Sequence, residues 1–165
     1  MATVCARNEH DVVLLVRNGE QADAISKQHR NPRTLSEFEL PHNVTATTSL
    51  AEAVEGAALV ILALPAQATP AWLAANRNNL PEDVLLCSTA KGLHLESKQL
   101  LSHAMRRALG RRSPPLAFLS GPSFARDIMQ SDPTAVVVAS SYLPHAVAVQ
   151  RIMSSLSFRV YTSQD

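Results

Sequence analysis

The chain has 165 residues, of which 46% are hydrophobic and 18% are charged. This balance excludes a largely disordered protein and is typical of one soluble globular domain. The formal net charge is only +1, so no global field favours nonspecific binding to nucleic acid or to a membrane surface.

Compact apolar segments alternate along the chain with longer segments of helical spacing, after residues 1–10, which have the pattern of the latter part of a helix. The predicted strands are Val12–Arg17, Thr45–Thr47, Ala58–Leu64, Val84–Ser88, Leu116–Leu119, Ala135–Ala139 and Phe158–Tyr161. The predicted helices between them are Glu20–His29, Ser49–Glu55, Pro70–Asn79, Leu95–Leu109, Ser123–Gln130 and Leu143–Ser155. This order predicts an α/β fold with a doubly wound, mostly parallel sheet, and several strands lack alternation, as strands covered on both faces do.

Three helix ends carry recognisable signals. Ser49 and Glu52 have the spacing of a capping box, Pro70 suits a first helical position, and Gly110 stands where a long helix should end. The opening is unusual, because a doubly wound domain normally begins with a strand and a glycine-rich turn. We therefore expect that the first strand and this turn are missing, and that the sequence is truncated at both ends.

Arg17 follows the first predicted strand, where nucleotide-binding folds of this class commonly place an acidic group for the adenosine ribose. A basic residue there is compatible with stacking on adenine or with binding a 2′-phosphate. The choice between NAD and NADP is therefore open.

Gln67 and Lys91 each come just after a buried strand, and ligands of open parallel sheets bind at that edge. Gln67 is a candidate for contact with a cofactor or substrate, and a loop glutamine bonded to water is the alternative. The Lys91 ammonium can reach phosphate or hydroxyl oxygens, whereas most loop lysines are simply solvated.

The segment Leu119–Arg126 runs from an apolar strand through Gly-Pro-Ser into a helix. Gly121 permits close backbone approach, and Ser123 is expected to cap the helix while its hydroxyl and neighbouring N–H groups meet an anion. The alternative is an ordinary N-cap that serves helix stability alone.

Other residue types argue against further chemistry. Cys5 and Cys87 suit buried positions in a reducing compartment, and neither the cysteines nor the six histidines form a metal-ligand pattern. The sequence contains no nucleophile-elbow or Walker motif, no membrane-length apolar run and no aromatic platform for nucleic acid. A basic cluster is interpreted as a solvated helix end rather than an anion patch; it comprises Arg106, Arg107, Arg111 and Arg112.

Several ordered motifs together resemble the NAD(P)-dependent glycerol-3-phosphate dehydrogenases, in their bacterial and plastid-like branch. Met1–Asn8 resembles the helix after that family's glycine-rich turn, and the most specific match is Leu119–Ala125. The other matching segments are Leu14–Asn18, His29–Asn31, Leu40–Val44, Leu64–Gln67, Ala90–Gly92 and Pro133–Ser140. The resemblance covers nearly the whole chain and implies a Rossmann-like NAD(P)-binding domain over residues 1–165, with the helical substrate domain absent.

The resemblance also implies hydride transfer between NAD or NADP and the pair dihydroxyacetone phosphate and sn-glycerol 3-phosphate. It places substrate at Lys91, Gly121 and Ser123, and cofactor at Arg17, Gln67, Lys91 and Ala125. The general acid/base lysine would belong to the absent domain, so no catalytic residue and no metal are assigned here, and the chain alone is expected to be inactive.

The implied partner is a small-molecule substrate, with no nucleic acid or membrane, and the full-length protein is expected to be a homodimer. A cytoplasmic location is expected, with the plastid stroma as the alternative. A nonenzymatic nucleotide-binding module is the competing interpretation, which the combination of Lys91, Gly121 and Ser123 disfavours.

Overall fold

The computed structural model describes residues 1–111 and 114–164. Within these ranges the strands are β1 (Val12–Leu15), β2 (Val44–Thr47), β3 (Leu59–Leu62), β4 (Leu85–Ser88), β5 (Leu93–His94), β6 (Gln99–Leu100), β7 (Leu116–Ser120), β8 (Thr134–Ala139) and β9 (Phe158–Ser163). The α-helices are α1 (Ala2–Arg7), α2 (Gly19–Gln28), α3 (Leu50–Val54), α4 (Thr69–Asn76), α5 (Leu101–Leu109), α6 (Ala125–Gln130) and α7 (Leu143–Met153), and a 3₁₀ turn covers Arg77–Asn79. All seven predicted strands are present.

The main sheet has the strand order β3-β4-β7-β8-β9, and β1 pairs with β2 in a separate parallel pair. β3, β4 and β7 run parallel, whereas β8 is antiparallel to β7. The Thr134 N–H bonds to the Ser157 carbonyl and the Ser140 N–H to the Ser163 carbonyl, so β9 runs in the same direction as β8. The predicted α/β architecture with a mostly parallel sheet is confirmed.

The described residues divide into two compact units. Unit 1 comprises residues 1–55, 122–136 and 150–161, and unit 2 comprises residues 56–111, 114–121, 137–149 and 162–164. In unit 1, the buried Ala6, Ile25 and Val44 form a core cluster, against which half-buried side chains of β1 and β2 pack. In unit 2, β4 is buried along its whole length, together with Leu73 of α4 and Met105 of α5.

The burial of the strands follows their position in the sheet. β4, which lies between β3 and β7, has no exposed residue, as expected for a strand covered on both faces. β8 and β9 alternate between buried and exposed side chains, and Val137 of β8 is 43% exposed. These two strands therefore each present one face to solvent.

The prediction of one helix over Leu95–Leu109 is wrong at its start. Residues 93–100 form the antiparallel hairpin β5–β6, and α5 begins only at Leu101. The hairpin turn has Lys98 in the left-handed conformation, with its N–H bonded to the Leu95 carbonyl. Since a left-handed residue interrupts a right-handed helix, the helical periodicity could not be realised here.

The predicted signals at other helix ends fared differently. The Ser49 hydroxyl accepts a hydrogen bond from the Glu52 N–H at the start of α3, and α5 ends at Gly110 with a φ of 66°, both as predicted. In a full capping box the Glu52 carboxylate would accept from the Ser49 N–H. Here the carboxylate accepts from the Thr47 hydroxyl instead, and the Ser49 N–H donates to that same hydroxyl. Pro70 is the second residue of α4, not the first.

Candidate functional site

The carboxyl ends of β3, β4 and β7 meet at one edge of unit 2, because the three strands are parallel neighbours. Gln67, Lys91 and Gly121 follow these three strands in turn. This edge is where open parallel sheets bind their ligands. The structure thus brings together three of the residues that the sequence singled out.

Lys91 is tied directly to the end of the neighbouring strand. Its Nζ donates a hydrogen bond to the carbonyl oxygen of Gly121. Gly121 has a φ of 146°, a conformation that L side chains rarely adopt, and this conformation orients its carbonyl. An ammonium has three N–H donors, so two of them remain for other oxygen atoms.

The backbone just before Lys91 is held by hydrogen bonds to the ends of β3 and β4. The Thr89 N–H donates to the Leu62 carbonyl at 3.2 Å, and the Ala90 N–H donates to the Ser88 hydroxyl at 3.3 Å. Ser88 itself is fully buried. These bonds extend the rigid strand almost to Lys91, after which Gly92 turns the chain with a φ of 104°.

Gln67 holds the segment that follows Lys91. Its Nε2 donates to the Leu93 carbonyl at 2.8 Å, and its Oε1 accepts from the Leu95 N–H at 2.9 Å. Both ends of the amide are therefore bonded to the backbone of the β5–β6 hairpin. A contact of Gln67 with a cofactor stays a prediction, and its structural contribution is to brace the hairpin beside Lys91.

The Gly-Pro-Ser turn leads into α6, but Ser123 is not the cap of that helix. α6 begins at Ala125, Phe124 occupies the N-cap position, and no side chain caps the first turn. The prediction of a Ser123 cap is wrong, because the turn extends one residue further and places Phe124 at the N-cap position. Ser123 is half-buried and Ala125 is exposed, both within unit 1.

Arg17 lies exposed after β1 in unit 1, where the Val16 N–H still pairs with the Thr47 carbonyl. The next residue, Asn18, caps α2, and its side-chain oxygen accepts from the Gln21 N–H at 3.1 Å. Asn18 was not singled out from the sequence, although an asparagine before a helix is a recognised N-cap signal. The role of Arg17 toward a cofactor stays a prediction.

The remaining polar groups add no metal chemistry among the residues that the structure describes. No group of three or more histidine, cysteine or acidic side chains is arranged to hold a metal ion there. Cys5 and Cys87 are both buried, and burial raises the pKa of the Cys5 thiol. Arg106, Arg107 and Arg111 are exposed at the end of α5, and Arg112 lies outside the described residues.

Within the same described ranges, every helix is too short or too polar to cross a membrane.

Comparison with known proteins identifies relatives over the whole chain. The family model for the N-terminus of NAD-dependent glycerol-3-phosphate dehydrogenase matches residues 1–146. A glycerol-3-phosphate dehydrogenase [NAD(P)+] of Corynebacterium aurimucosum is 37% identical over 165 residues, covering 100% of this chain and 50% of the relative. A chloroplastic glycerol-3-phosphate dehydrogenase [NAD(+)] of Oryza sativa subsp. japonica is 36% identical, covering 94% of this chain and 35% of the relative.

The fold has a close counterpart among solved structures. A glycerol-3-phosphate dehydrogenase of Coxiella burnetii superimposes with a TM-score of 0.88 at 26% identity, covering 99% of this chain and 50% of that structure. The chain spans about half the length of many of the curated relatives it matches.

Proposed function

Since this chain belongs to the NAD-dependent glycerol-3-phosphate dehydrogenase family, we propose that the protein carrying it transfers hydride between a nicotinamide cofactor and a phosphorylated three-carbon substrate. The substrate pair is dihydroxyacetone phosphate and sn-glycerol 3-phosphate, and the cofactor is NAD or NADP. The names of the bacterial and plant relatives support this assignment.

The observation that carries the proposal is the contact between Lys91 and Gly121. It fixes an ammonium at the carboxyl edge of parallel β4 and β7, with two N–H donors left over. A fixed cation at that position stabilises negative charge that develops on a ketone oxygen, or holds a phosphate oxygen. A binding module without substrate gains nothing from such a group.

The remaining site residues are assigned to the substrate or to the cofactor. Gly121 and Ser123 contact the substrate, whereas Arg17, Gln67, Lys91 and Ala125 face the cofactor. Within unit 2, the exposed Lys91 ammonium at the carboxyl edge of the sheet fits the phosphate and hydroxyl oxygens of a nicotinamide dinucleotide. The bound cofactor supplies the hydride, and the protein supplies binding and orientation.

Residues 1–165 form part of the NAD(P)-binding domain in this proposal, and a helical domain contributes the general acid/base lysine. The homodimer and the cytoplasmic location stay predictions that rest on the family resemblance. The rice relative, which is named chloroplastic, supports the plastid stroma as the alternative location.

The test is oxidation of NADH and NADPH with dihydroxyacetone phosphate by the longest reading frame that contains this chain. We expect activity in that protein, a loss of kcat/KM of about 10³-fold in Lys91→Ala, and none in the 165-residue chain alone. Lys27→Ala is the matched control, because Lys27 is an exposed lysine paired with Asp23 on α2. An inactive wild-type protein, folded and supplied with either cofactor, would contradict the proposal.

A further inference from the structure

The helix that follows the Gly-Pro-Ser turn is anchored from outside. α6 has only six residues and no side-chain cap at its start. Helices of this length are not stable alone in water, so their position depends on tertiary contacts. In unit 1, residues distant in sequence make those contacts, one at each end of α6: Arg7 binds its carboxyl end, and Glu37 pairs with Arg126 near its start.

Arg7 of α1 binds the carboxyl end of α6. Its Nη1 donates to the Ile128 carbonyl at 2.8 Å and to the Ser131 hydroxyl at 2.9 Å, and its Nη2 donates to the Met129 carbonyl at 2.9 Å. The last carbonyls of a helix are open to donors from outside it, and a cation there also favours the helix dipole. The Ile128 carbonyl accepts from the Ser131 N–H as well as from Arg7. A planar guanidinium satisfies all three acceptors at once.

Two local features support this anchor. Ser131 ends α6 in the left-handed conformation with a φ of 65°, and its hydroxyl accepts the hydrogen bond from the guanidinium. The Thr3 hydroxyl lies 3.2 Å from the Met129 sulfur, so α1 contacts α6 at a second point. α1 and the end of α6 are therefore held as one piece within unit 1.

Arg126 makes the contact at the other end of α6. Its guanidinium pairs with the Glu37 carboxylate and lies 5.8 Å from the centre of the Phe38 ring. Both Arg126 and Glu37 are largely exposed, and exposed pairs contribute little because water and salt screen them. Arg7 is exposed as well, but it makes three hydrogen bonds, one of them partly buried, whereas Arg126 makes a single ion pair. The number of its bonds makes Arg7 the stronger of the two anchors.

We propose that Arg7 is a positioning residue for the substrate: it fixes α6 and, through it, the turn that carries Ser123 and Ala125. This inference rests on the proposed function. Ser123 lies only two residues before α6, so a shift of the helix moves Ser123 with it. A displaced Ser123 binds the substrate less well, and the loss of a contact that is equal in the ground state and the transition state raises KM without lowering kcat.

The experiment compares Arg7→Ala with Arg7→Lys and Arg77→Ala in the longest reading frame that contains this chain. Arg77 is the matched control, because its Nη1 donates to the Ala108 carbonyl near the end of α5, which does not lead into the Gly-Pro-Ser turn. Arg7→Lys keeps the positive charge but loses the planar guanidinium that reaches all three acceptors. It also replaces Arg7→Ala as the test variant if Arg7→Ala does not fold.

Two readouts are needed. In Arg7→Ala, we expect hydrogen exchange of the amides in residues 123–131 to be at least about tenfold faster, while exchange of the β4 amides is unchanged. The KM for dihydroxyacetone phosphate should rise by about tenfold, with kcat and the cofactor KM within about threefold of wild type. Arg7→Lys should recover part of the KM, and Arg77→Ala should leave it unchanged.

Unchanged exchange in residues 123–131 would overturn the proposal whatever the activity, because the position of α6 would then not depend on Arg7. Faster exchange with an unchanged substrate KM would also overturn it. If wild type does not turn over dihydroxyacetone phosphate, the proposed function fails and the substrate role of Arg7 with it, while the exchange result still shows separately whether Arg7 anchors α6.

Discussion

β4 and β1 each lead to a basic side chain just beyond the carboxyl end of a parallel strand, but the two strands differ in burial. Within the described residues, β4 pairs with a strand on each side and has every side chain buried, whereas β1 pairs only with β2 and alternates. Val13 and Leu15 of β1 are 44% and 40% exposed. Lys91 is therefore carried by a rigid support and Arg17 by a weaker one.

The largest expected effect is on the stability of β4, the strand that carries Lys91. Leu86 is fully buried in β4, so Leu86→Ala should lower the free energy of unfolding by about 3 kcal/mol through lost burial and a residual cavity. Val13→Ala in β1 should cost less than about 1 kcal/mol, because the side chain is already half in water. Urea unfolding of both variants, followed by circular dichroism, measures the difference. Equal losses would remove the contrast between the strands.

The labelling rates of the two cysteines give a second comparison of local stability, since Cys5 lies in unit 1 and Cys87 in unit 2. Cys87 lies in β4, whereas Cys5 lies in the six-residue α1. Under native conditions we expect iodoacetamide to modify Cys5 about tenfold faster, because α1 can open locally whereas β4 is released only with its sheet. Mass spectrometry of the labelled peptides gives both rates. Faster labelling of Cys87 would show that the sheet of unit 2 opens first.

Alkaline pH should affect Cys5 in a defined direction. Burial raises the pKa of its thiol in the folded state. A raised folded-state pKa contributes stability that is fully present below the ordinary thiol pKa and is lost as pH rises through the folded-state pKa. The free energy of unfolding should therefore fall in that alkaline range, and Cys5→Ala should reduce the fall. An identical pH dependence in wild type and Cys5→Ala would contradict this.

The smallest expected effect concerns the cation at the end of β1. Arg17 is exposed, so its attraction for a cofactor phosphate is screened. Arg17→Ala in the full-length protein should raise the KM for NADPH by about fivefold and change that for NADH by less than about twofold. Steady-state kinetics with both cofactors measure this. Equal losses with the two cofactors would favour adenine stacking over a 2′-phosphate contact.

The sequence predicted most of the strands because they are compact apolar runs, a pattern that neighbouring residues alone reveal. β4 is the clearest case, with an apolar run followed by a basic loop. The carboxyl edge of the sheet followed from the parallel arrangement, so Lys91 and Gly121 could be expected near each other. In unit 2 the two residues are in contact through their hydrogen bond, and their roles in binding stay predictions.

The errors occurred where distant residues decide the local structure. The β5–β6 hairpin replaced a predicted helical start, and the amide that braces it comes from Gln67, 26 residues before Leu93. The anchoring of α6 by Arg7 joins residues 121 positions apart. Periodicity and capping signals describe neighbours in sequence, so they carry no information on such contacts. A left-handed Lys98 likewise has no signal in its residue type.

The tie between Lys91 and Gly121 has a genetic consequence. Its acceptor is a backbone carbonyl, which every amino acid possesses, so no codon change at position 121 can delete it. Substitution of Gly121 can only displace the carbonyl by straining its φ of 146°. The donor, in contrast, is a side chain that a substitution at position 91 removes. A saturation screen for growth that depends on the proposed dehydrogenase activity should therefore show graded losses at position 121 and near-complete intolerance at position 91.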